Sequence, residues 1–295
     1  MSDIPCTIGI IGSGRVGRTV GGGLKQLGHR VLFHDVDEST VEGLKKLGHE
    51  ATLDIRFVIN HSCLSFICVP TSSPQRTDLS CLISAVTSAA HALKDKPDYY
   101  LIVIKSTIVP TTTERVIIPL LKNSGKTLRK ELGICVNPEF GTEAATTWTN
   151  DPQYHRDFLS QDRIIIGELD KNSGEVLEQL YKPLQKPIFR TDLRTAEMVK
   201  YAANLMLATK VSFWNEVFLV CQKLGIDSRQ VADIAALDPR IGKYGSVHGK
   251  AFGGKCLPKD LEGFISFALK YHSPALLKAV KRVNDYMSHN YGIRE

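Results

Sequence analysis

The chain has 295 residues, 43% hydrophobic and 23% charged, with a net charge of +6 at pH 7. This is the composition of an ordinary soluble globular protein long enough for two domains, and no run of about 18 apolar residues offers a membrane span. The positive charge lies in short clusters such as Lys122 to Lys130, which favours small anionic ligands weakly and speaks against nucleic acid.

Met1-Ser2-Asp3 lacks the basic start of a signal peptide, and the seven cysteines (6, 63, 68, 81, 135, 221 and 256) include no C-x-x-C pair. Neither a disulfide framework nor a zinc site is indicated, so a reducing cytoplasm and no metal are expected.

The apolar run Thr7 to Ile11 leads into Gly12-Ser13-Gly14-Arg15-Val16-Gly17, and Val20 to Leu27 can then wind as a helix. A second strand, Arg30 to His34, ends at Asp35, which stands 23 residues after Gly12. Strand, glycine turn, helix and acid in this register form the dinucleotide fingerprint. The glycines allow a tight turn and close pyrophosphate approach, the helix N-terminus favours phosphate, and the carboxylate reaches ribose hydroxyls. An acid there repels a 2′-phosphate, so the expected cofactor is NAD rather than NADP.

Further strands are expected at Leu64 to Val69, Tyr100 to Ile104 and Asp162 to Gly167, with helical stretches between them such as Leu79 to Leu93. The alternation predicts an α/β fold with a doubly wound, Rossmann-type parallel sheet. Ligands of such sheets sit beyond the carboxyl ends of the strands, where this chain carries Pro70-Thr71 and Lys105-Ser106-Thr107. Thr107 can equally cap a following helix. A third strand-end segment, Ile134 to Phe140, includes Glu139, and Glu143 follows four residues later. If a helical turn begins there, the two carboxylates share one face, suited to general-base work or to a solvated surface. Thr146 to Gln161 reads as a loop.

Thr191-Asp192 offers an N-cap for a helix of about 30 residues from Ala196 to Leu224, closed by Gly225. It is apolar almost all round, so both faces are expected to be buried, one of them by a second subunit in a homodimer. Lys200 and Asn204, spaced i, i+4, project together, either as a reactive pair or as a snorkelling lysine beside an amide. The chain thus divides into a nucleotide-binding domain, 1–192, and a helical domain, 193–295. Arg240 is either a phosphate fork or a surface salt-bridge partner. In Gly253-Gly254-Lys255-Cys256-Leu257-Pro258-Lys259-Asp260 the glycines bring backbone amides near a ligand, and Lys255 and a helix start at Pro258 favour a reactive thiolate on Cys256. The alternative is a glycine turn with a small core residue. A last helix opens at Ser273-Pro274 and runs to about Asn290.

Together these pieces resemble the nucleotide-sugar 6-dehydrogenases, the UDP-glucose and GDP-mannose dehydrogenases. The matching stretches are Gly12 to Gly17, Phe66 to Thr71, Lys105 to Thr107, Asn137 to Phe140, Ala196 to Asn204, Arg240 to Gly242 and Phe252 to Asp260. The resemblance implies oxidation of a sugar C6 alcohol to a carboxylate, with two NAD⁺ reduced and one water consumed. The expected conversion is UDP-glucose to UDP-glucuronate, within a substrate class of UDP- or GDP-linked hexoses.

By the same resemblance Cys256 is the covalent nucleophile, and Lys200 and Asn204, with Asp260 and Thr107 holding a water, serve as proton acceptor and oxyanion stabiliser. Glu139 activates the hydrolytic water. Gly12, Gly14, Arg15, Val16, Gly17, Asp35, Pro70, Thr71, Thr107, Glu143 and Lys259 hold the cofactor. Glu139, Lys200, Asn204, Gly253 and Gly254 meet the substrate, and Arg240 reaches it in a neighbouring subunit. Arg15 stands where the family has tyrosine, Gly141-Thr142-Glu143-Ala144 departs from its pattern, and Lys255 replaces a small residue. The family's further C-terminal α/β domain is not in this sequence. Two other readings remain: a single-step β-hydroxyacid dehydrogenase, which shares a Lys-x-x-x-Asn pair, and a non-catalytic NAD-binding remnant.

Overall fold

The protein is described by a computed structural model covering residues 6–73, 76–141, 148–154, 156–254 and 256–294. Glu143 and Lys255 lie outside the described residues. Strand β1, Thr7–Ile11, is followed by α1 Arg15–Gln26, β2 Arg30–His34, α2 Glu38–Lys46, β3 Glu50–Thr52, α3 Ile55–His61 and β4 Leu64–Ile67. A short antiparallel pair, β5 Ser72–Ser73 and β6 Arg76–Thr77, precedes α4 Ser80–Leu93 and β7 Tyr100–Ile104. A π-helical turn, Thr113–Ile117, runs into α5 Ile118–Lys122, and β8 Leu132–Val136, β9 Ile164–Glu168, α6 Lys171–Tyr181 and β10 Ile188–Asp192 follow.

These strands, β5 and β6 apart, form one sheet in the order β10-β9-β8-β7-β4-β1-β2-β3. Every residue of β7 and β8 is buried, as expected of strands covered on both faces. The parallel expectation holds from β3 to β8, but β9 pairs antiparallel to β8, and β10 then pairs parallel to β9. The cause is the connection. Between β8 and β9 the described residues hold only a 3₁₀ turn, Pro152–Tyr154, and no crossover helix of the kind that parallel neighbours use, and the chain enters β9 from the opposite end.

Two compact units divide the chain differently from the expected break at 192. The first comprises residues 1–71, 78–140 and 158–198 and holds the sheet; the second comprises 72–77, 141–157 and 199–295. Two short segments of the N-terminal half therefore group with the helical part.

The expected long helix is α7, Leu193–Leu224, 32 residues. Asp192 accepts from the Thr195 N–H at 3.0 Å, the cap that the sequence offers. After it come α8 Ser228–Ala235, β11 Ala251–Phe252, α9 Leu257–Ala268, α10 Ala275–Tyr291 and β12 Ile293–Arg294. Leu205, Ala208, Val211, Trp214 and Cys221 of α7 are buried. The helix is not covered all round, however: Met206, Phe213, Val220 and Leu224 are 61%, 55%, 59% and 66% exposed. No helix among the described residues is long and apolar enough to cross a membrane.

Candidate functional site

In the first unit the turn after β1 is built by three glycines with different physical jobs. Gly12 has φ +89° and donates its N–H to the His34 carbonyl at 2.9 Å, which bends the chain at the strand end. Gly14 caps α1, and a Cβ built there meets no atom within 4 Å. A Cβ on Gly17 falls 2.1 Å from the Gly12 carbonyl oxygen, so only glycine lets α1 lie this close to β1. Asp35 accepts from the Ser13 N–H at 2.7 Å and from the Asp37 N–H at 3.1 Å, which fixes the acid beside the turn. A bare N-terminal helix end, open space at Gly14 and an oriented carboxylate fit the pyrophosphate and ribose of NAD. Arg15 is exposed, and Val16 is exposed beside it on the first turn of α1.

The ends of β4 and β7 are tied together. Thr71 donates its hydroxyl to the Thr107 carbonyl at 2.6 Å, and Ser106 donates to the Val69 carbonyl at 2.6 Å. Pro70, between Val69 and Thr71 in sequence, is exposed. Thr107 caps no helix, because the next helical turn starts only at Thr113. Beyond β8 the residues 137–141 form no helical turn, and Glu143, the other carboxylate of the expected helix face, lies outside the described residues. Lys105 meets Glu139. Its Nζ lies 3.0 Å from Glu139 Oε2 and 3.0 Å from Asn137 Oδ1, at 2% exposure. Burial works against the Lys105 ammonium, but the Glu139 carboxylate beside it outweighs burial and raises its pKa. Sequence reasoning quoted Lys105 within a motif but gave it no role; a lysine directly after the apolar run Tyr100 to Ile104 was the available signal.

In the second unit, Lys200 is half-buried and Asn204 lies one turn further along α7. Asn204 Nδ2 donates to Asp260 Oδ2 at 2.5 Å, and Lys259 Nζ lies 3.1 Å from Asp260 Oδ1. Asp260 is 1% exposed, so its carboxylate is a buried group held by an amide and an ammonium. Cys256 is exposed at the N-cap of α9, with Pro258 in the first turn. Helix N–H groups and the positive end of the dipole face that position.

The backbone leading to Cys256 is clamped. Asn284 accepts from the Phe252 N–H at 2.8 Å and donates to the Phe252 carbonyl at 3.0 Å, and Gly253 donates to the Arg294 carbonyl at 3.0 Å. Asn215 does the same upstream, through the Gly249 N–H and the Lys250 carbonyl. Gly254, with φ +74°, turns the chain where a side chain is disfavoured. None of these asparagines was foreseen from sequence. Arg240 is 88% exposed by its side chain and forks onto Asp238, with NH2 to Oδ2 at 2.6 Å.

Among known families, the model of the UDP-glucose/GDP-mannose dehydrogenase NAD binding domain matches residues 47–185, and that of the central domain matches residues 194–286. A GDP-mannose 6-dehydrogenase of Pseudomonas syringae pv. syringae is 34% identical over 96% of this chain and 67% of its own length. A UDP-glucose 6-dehydrogenase of Haloferax volcanii is 35% identical over 94% of this chain and 69% of its own. A solved UDP-glucose dehydrogenase from Pyrobaculum islandicum superposes with a TM-score of 0.86 and 30% identity, covering 98% of this chain and 70% of that one. With the glycine turn, the buried Asn204 and Asp260 pair and the capped cysteine already in view, these matches establish that the chain belongs to the UDP-glucose/GDP-mannose dehydrogenase family, whose members use NAD.

Proposed function

We propose that the chain is the catalytic part of an NAD-dependent nucleotide-sugar 6-dehydrogenase, which oxidises the C6 alcohol of a UDP- or GDP-linked hexose to the carboxylate. The observation that carries this reading is Cys256, exposed at the start of α9, one helical turn before the buried Asp260 that Asn204 engages. Gly12, Gly14, Gly17 and Asp35 would hold NAD, which accepts a hydride in each of the two oxidations. Lys200 takes the hydroxyl proton, and Asn204 with Asp260 orients the water or alkoxide oxygen. The Cys256 sulfur bonds to the aldehyde carbon and is later displaced from the thioester by water, whose proton passes to Glu139.

The same reading includes a homodimer through α7. Met206, Phe213, Val220 and Leu224 recur at spacings of seven, seven and four, which aligns them in one stripe. Exposed side chains of this size in register fit a second copy of the same helix. Arg240, exposed on the same unit, is the residue proposed to serve the neighbouring subunit's substrate. All seven thiols are free, in keeping with the cytoplasm as the proposed compartment.

The test is NADH formation with UDP-glucose, GDP-mannose, UDP-N-acetyl sugars and 3-hydroxyacids. Two NADH per nucleotide sugar consumed is the expected result, and UDP-glucose is expected among the substrates. One NADH per hydroxyacid would replace this reading with the single-step dehydrogenase, and NADH binding without any turnover would replace it with an NAD-binding remnant.

A further inference from the structure

The geometry points to Lys105 as a positioning residue for Glu139: the buried ammonium fixes the carboxylate's orientation and keeps it ionised for the hydrolytic step. This inference rests on the reading above, in which Glu139 takes the proton of the hydrolytic water. Lys105 follows β7 directly and is almost wholly buried. A lysine is stable there only if its charge is met. Asn137 and Glu139 meet it, each 3.0 Å from Nζ.

The scaffold behind the lysine is hydrogen-bonded to two further elements. Asn137 donates to the Ile165 carbonyl of β9 at 2.7 Å and accepts the Tyr181 hydroxyl of α6 at 2.6 Å. Lys105 Nζ also lies 6.0 Å from the centre of the Tyr181 ring. The ammonium is therefore held by the ends of β7 and β8, by β9 and by α6. Glu139, in contrast, sits on irregular backbone beyond β8 with its side chain 17% exposed. No strand ladder aims its carboxylate, and the ion pair ties it to the end of β7.

The titratable groups around Glu139 make Lys105 its charge partner. Tyr181 on α6 and Cys68 after β4 are both pushed up to about 12 by burial, so each is neutral at neutral pH. A cation beside a carboxylate favours the ionised form. In hydrolysis the water oxygen bonds to the thioester carbon, its proton goes to Glu139, and the carbon–sulfur bond breaks with its electron pair on Cys256. Lys105 neither gains nor loses a proton in that step.

Lys105→Met keeps the length of the stem and removes the charge. With a nucleotide sugar that wild type oxidises, kcat is expected to fall about ten- to a hundredfold, part of the ~10²–10⁴ that a positioned base supplies. The acidic limb of the kcat profile is expected to move up by about one pH unit or more. NADH affinity, measured by fluorescence titration, serves as the control that the first unit is folded. A fall in kcat that is uniform across pH, with the acidic limb unmoved, would reduce Lys105 to a structural lysine and overturn the inference. Chemical denaturation of Lys105→Met, Glu139→Gln and the double variant gives a readout that needs no turnover, and the double variant also serves if Lys105→Met folds poorly. The two changes are expected to couple, the double variant recovering stability that Lys105→Met alone loses. Absence of coupling overturns the pairing itself. A wild type that yields no NADH would instead bring down the dehydrogenase reading and leave the pairing to be judged by that cycle.

Discussion

Gly14 and Gly17 stand three residues apart in the same turn, and replacing each by alanine separates a glycine kept for the ligand from one kept for the fold. At Gly17 the new methyl would lie 2.1 Å from the Gly12 carbonyl oxygen and 3.0 Å from Ile10 Cγ2. A backbone oxygen cannot swing aside, so α1 must lift off β1 by about 1 Å to restore contact. Overpacking of this kind costs about 1–3 kcal/mol, partly offset by the ~1 kcal/mol that alanine gains over glycine in a helix. Gly17→Ala should therefore lose up to about 2 kcal/mol, a fall of roughly 4–8 °C in melting temperature. Gly14→Ala meets no atom, and its φ of −68° suits any residue, so its cost is limited to about 1 kcal/mol for alanine at an N-cap. Its NADH affinity should nevertheless fall about ten- to a hundredfold, as 1–3 kcal/mol of crowding against the pyrophosphate implies. Scanning calorimetry without ligand and NADH fluorescence titration measure the two effects. If Gly14→Ala binds NADH as wild type does, the open space at that residue is not the pyrophosphate's.

Brief iodoacetamide treatment followed by peptide mass spectrometry should label Cys256 ahead of Cys221, which is buried, and of Cys63, whose thiol pKa is pushed up by its hydrogen bond with Cys6 and by burial; Cys81 serves as the exposed comparison. Equal labelling of Cys256 and Cys81 would remove the argument from the helix end. Cys256→Ser should stop the reaction before carboxylate release, which product analysis reads directly. Sedimentation at micromolar protein should show two chains in wild type and one in Phe213→Asp, and a monomeric wild type would refute the α7 stripe as an interface. His34 is 6% exposed, its Nδ1 has no hydrogen-bond partner among the described residues, and burial lowers its pKa against the pull of Asp35. Its neutral form is the one that the fold accepts, so its contribution is complete above the unfolded pKa of about 6.5 and is lost as pH falls through the lower folded value. Melts of His34→Phe should accordingly lose less stability than wild type between about pH 7 and about pH 5, and parallel losses would refute the assignment.

The parts of the fold that were legible in sequence are those where one local signal dominates. Thr7 to Ile11, Arg30 to His34 and Tyr100 to Ile104 read as strands because each is a short β-rich apolar run, and the observed bounds coincide. Helix α7 was legible from Asp192 and Gly225 because a cap and a stop frame an unbroken stretch. The short helices α2, α3 and α6 were passed over, although Asp37, Asp54 and Asp170 each accept a backbone N–H two or three residues on. An N-cap acid is a weak signal when the helix behind it has only two or three turns. Strand β10 was missed for another reason: Ile188–Asp192 is an edge strand, half exposed, and lacks the apolar run of a central one. The reversal at β9 depends on what joins two strands rather than on either strand, and alternation alone cannot report it.

The candidate site divides along the same line. Asn204 and Asp260 lie 56 residues apart, yet each sits in a local pattern, Lys-x-x-x-Asn on a helix and a glycine turn with cysteine and proline, that could be noticed alone. Lys105 and Asn137 stood inside quoted strand-end stretches without a role of their own, and Tyr181, which supports Asn137, had no pattern at all. Asn284 and Asn215 are ordinary helix-surface residue types whose amides become backbone clamps only once β11 is laid beside them. Reacting groups recur at fixed spacings because the chemistry constrains their neighbours, whereas the residues that aim them are chosen by whatever backbone the fold brings near. The ion pair of Lys105 with Glu139 is the sharpest case: one partner received its role as a base from the family resemblance, and the group that pairs with it stood in plain sight 34 residues earlier without a function.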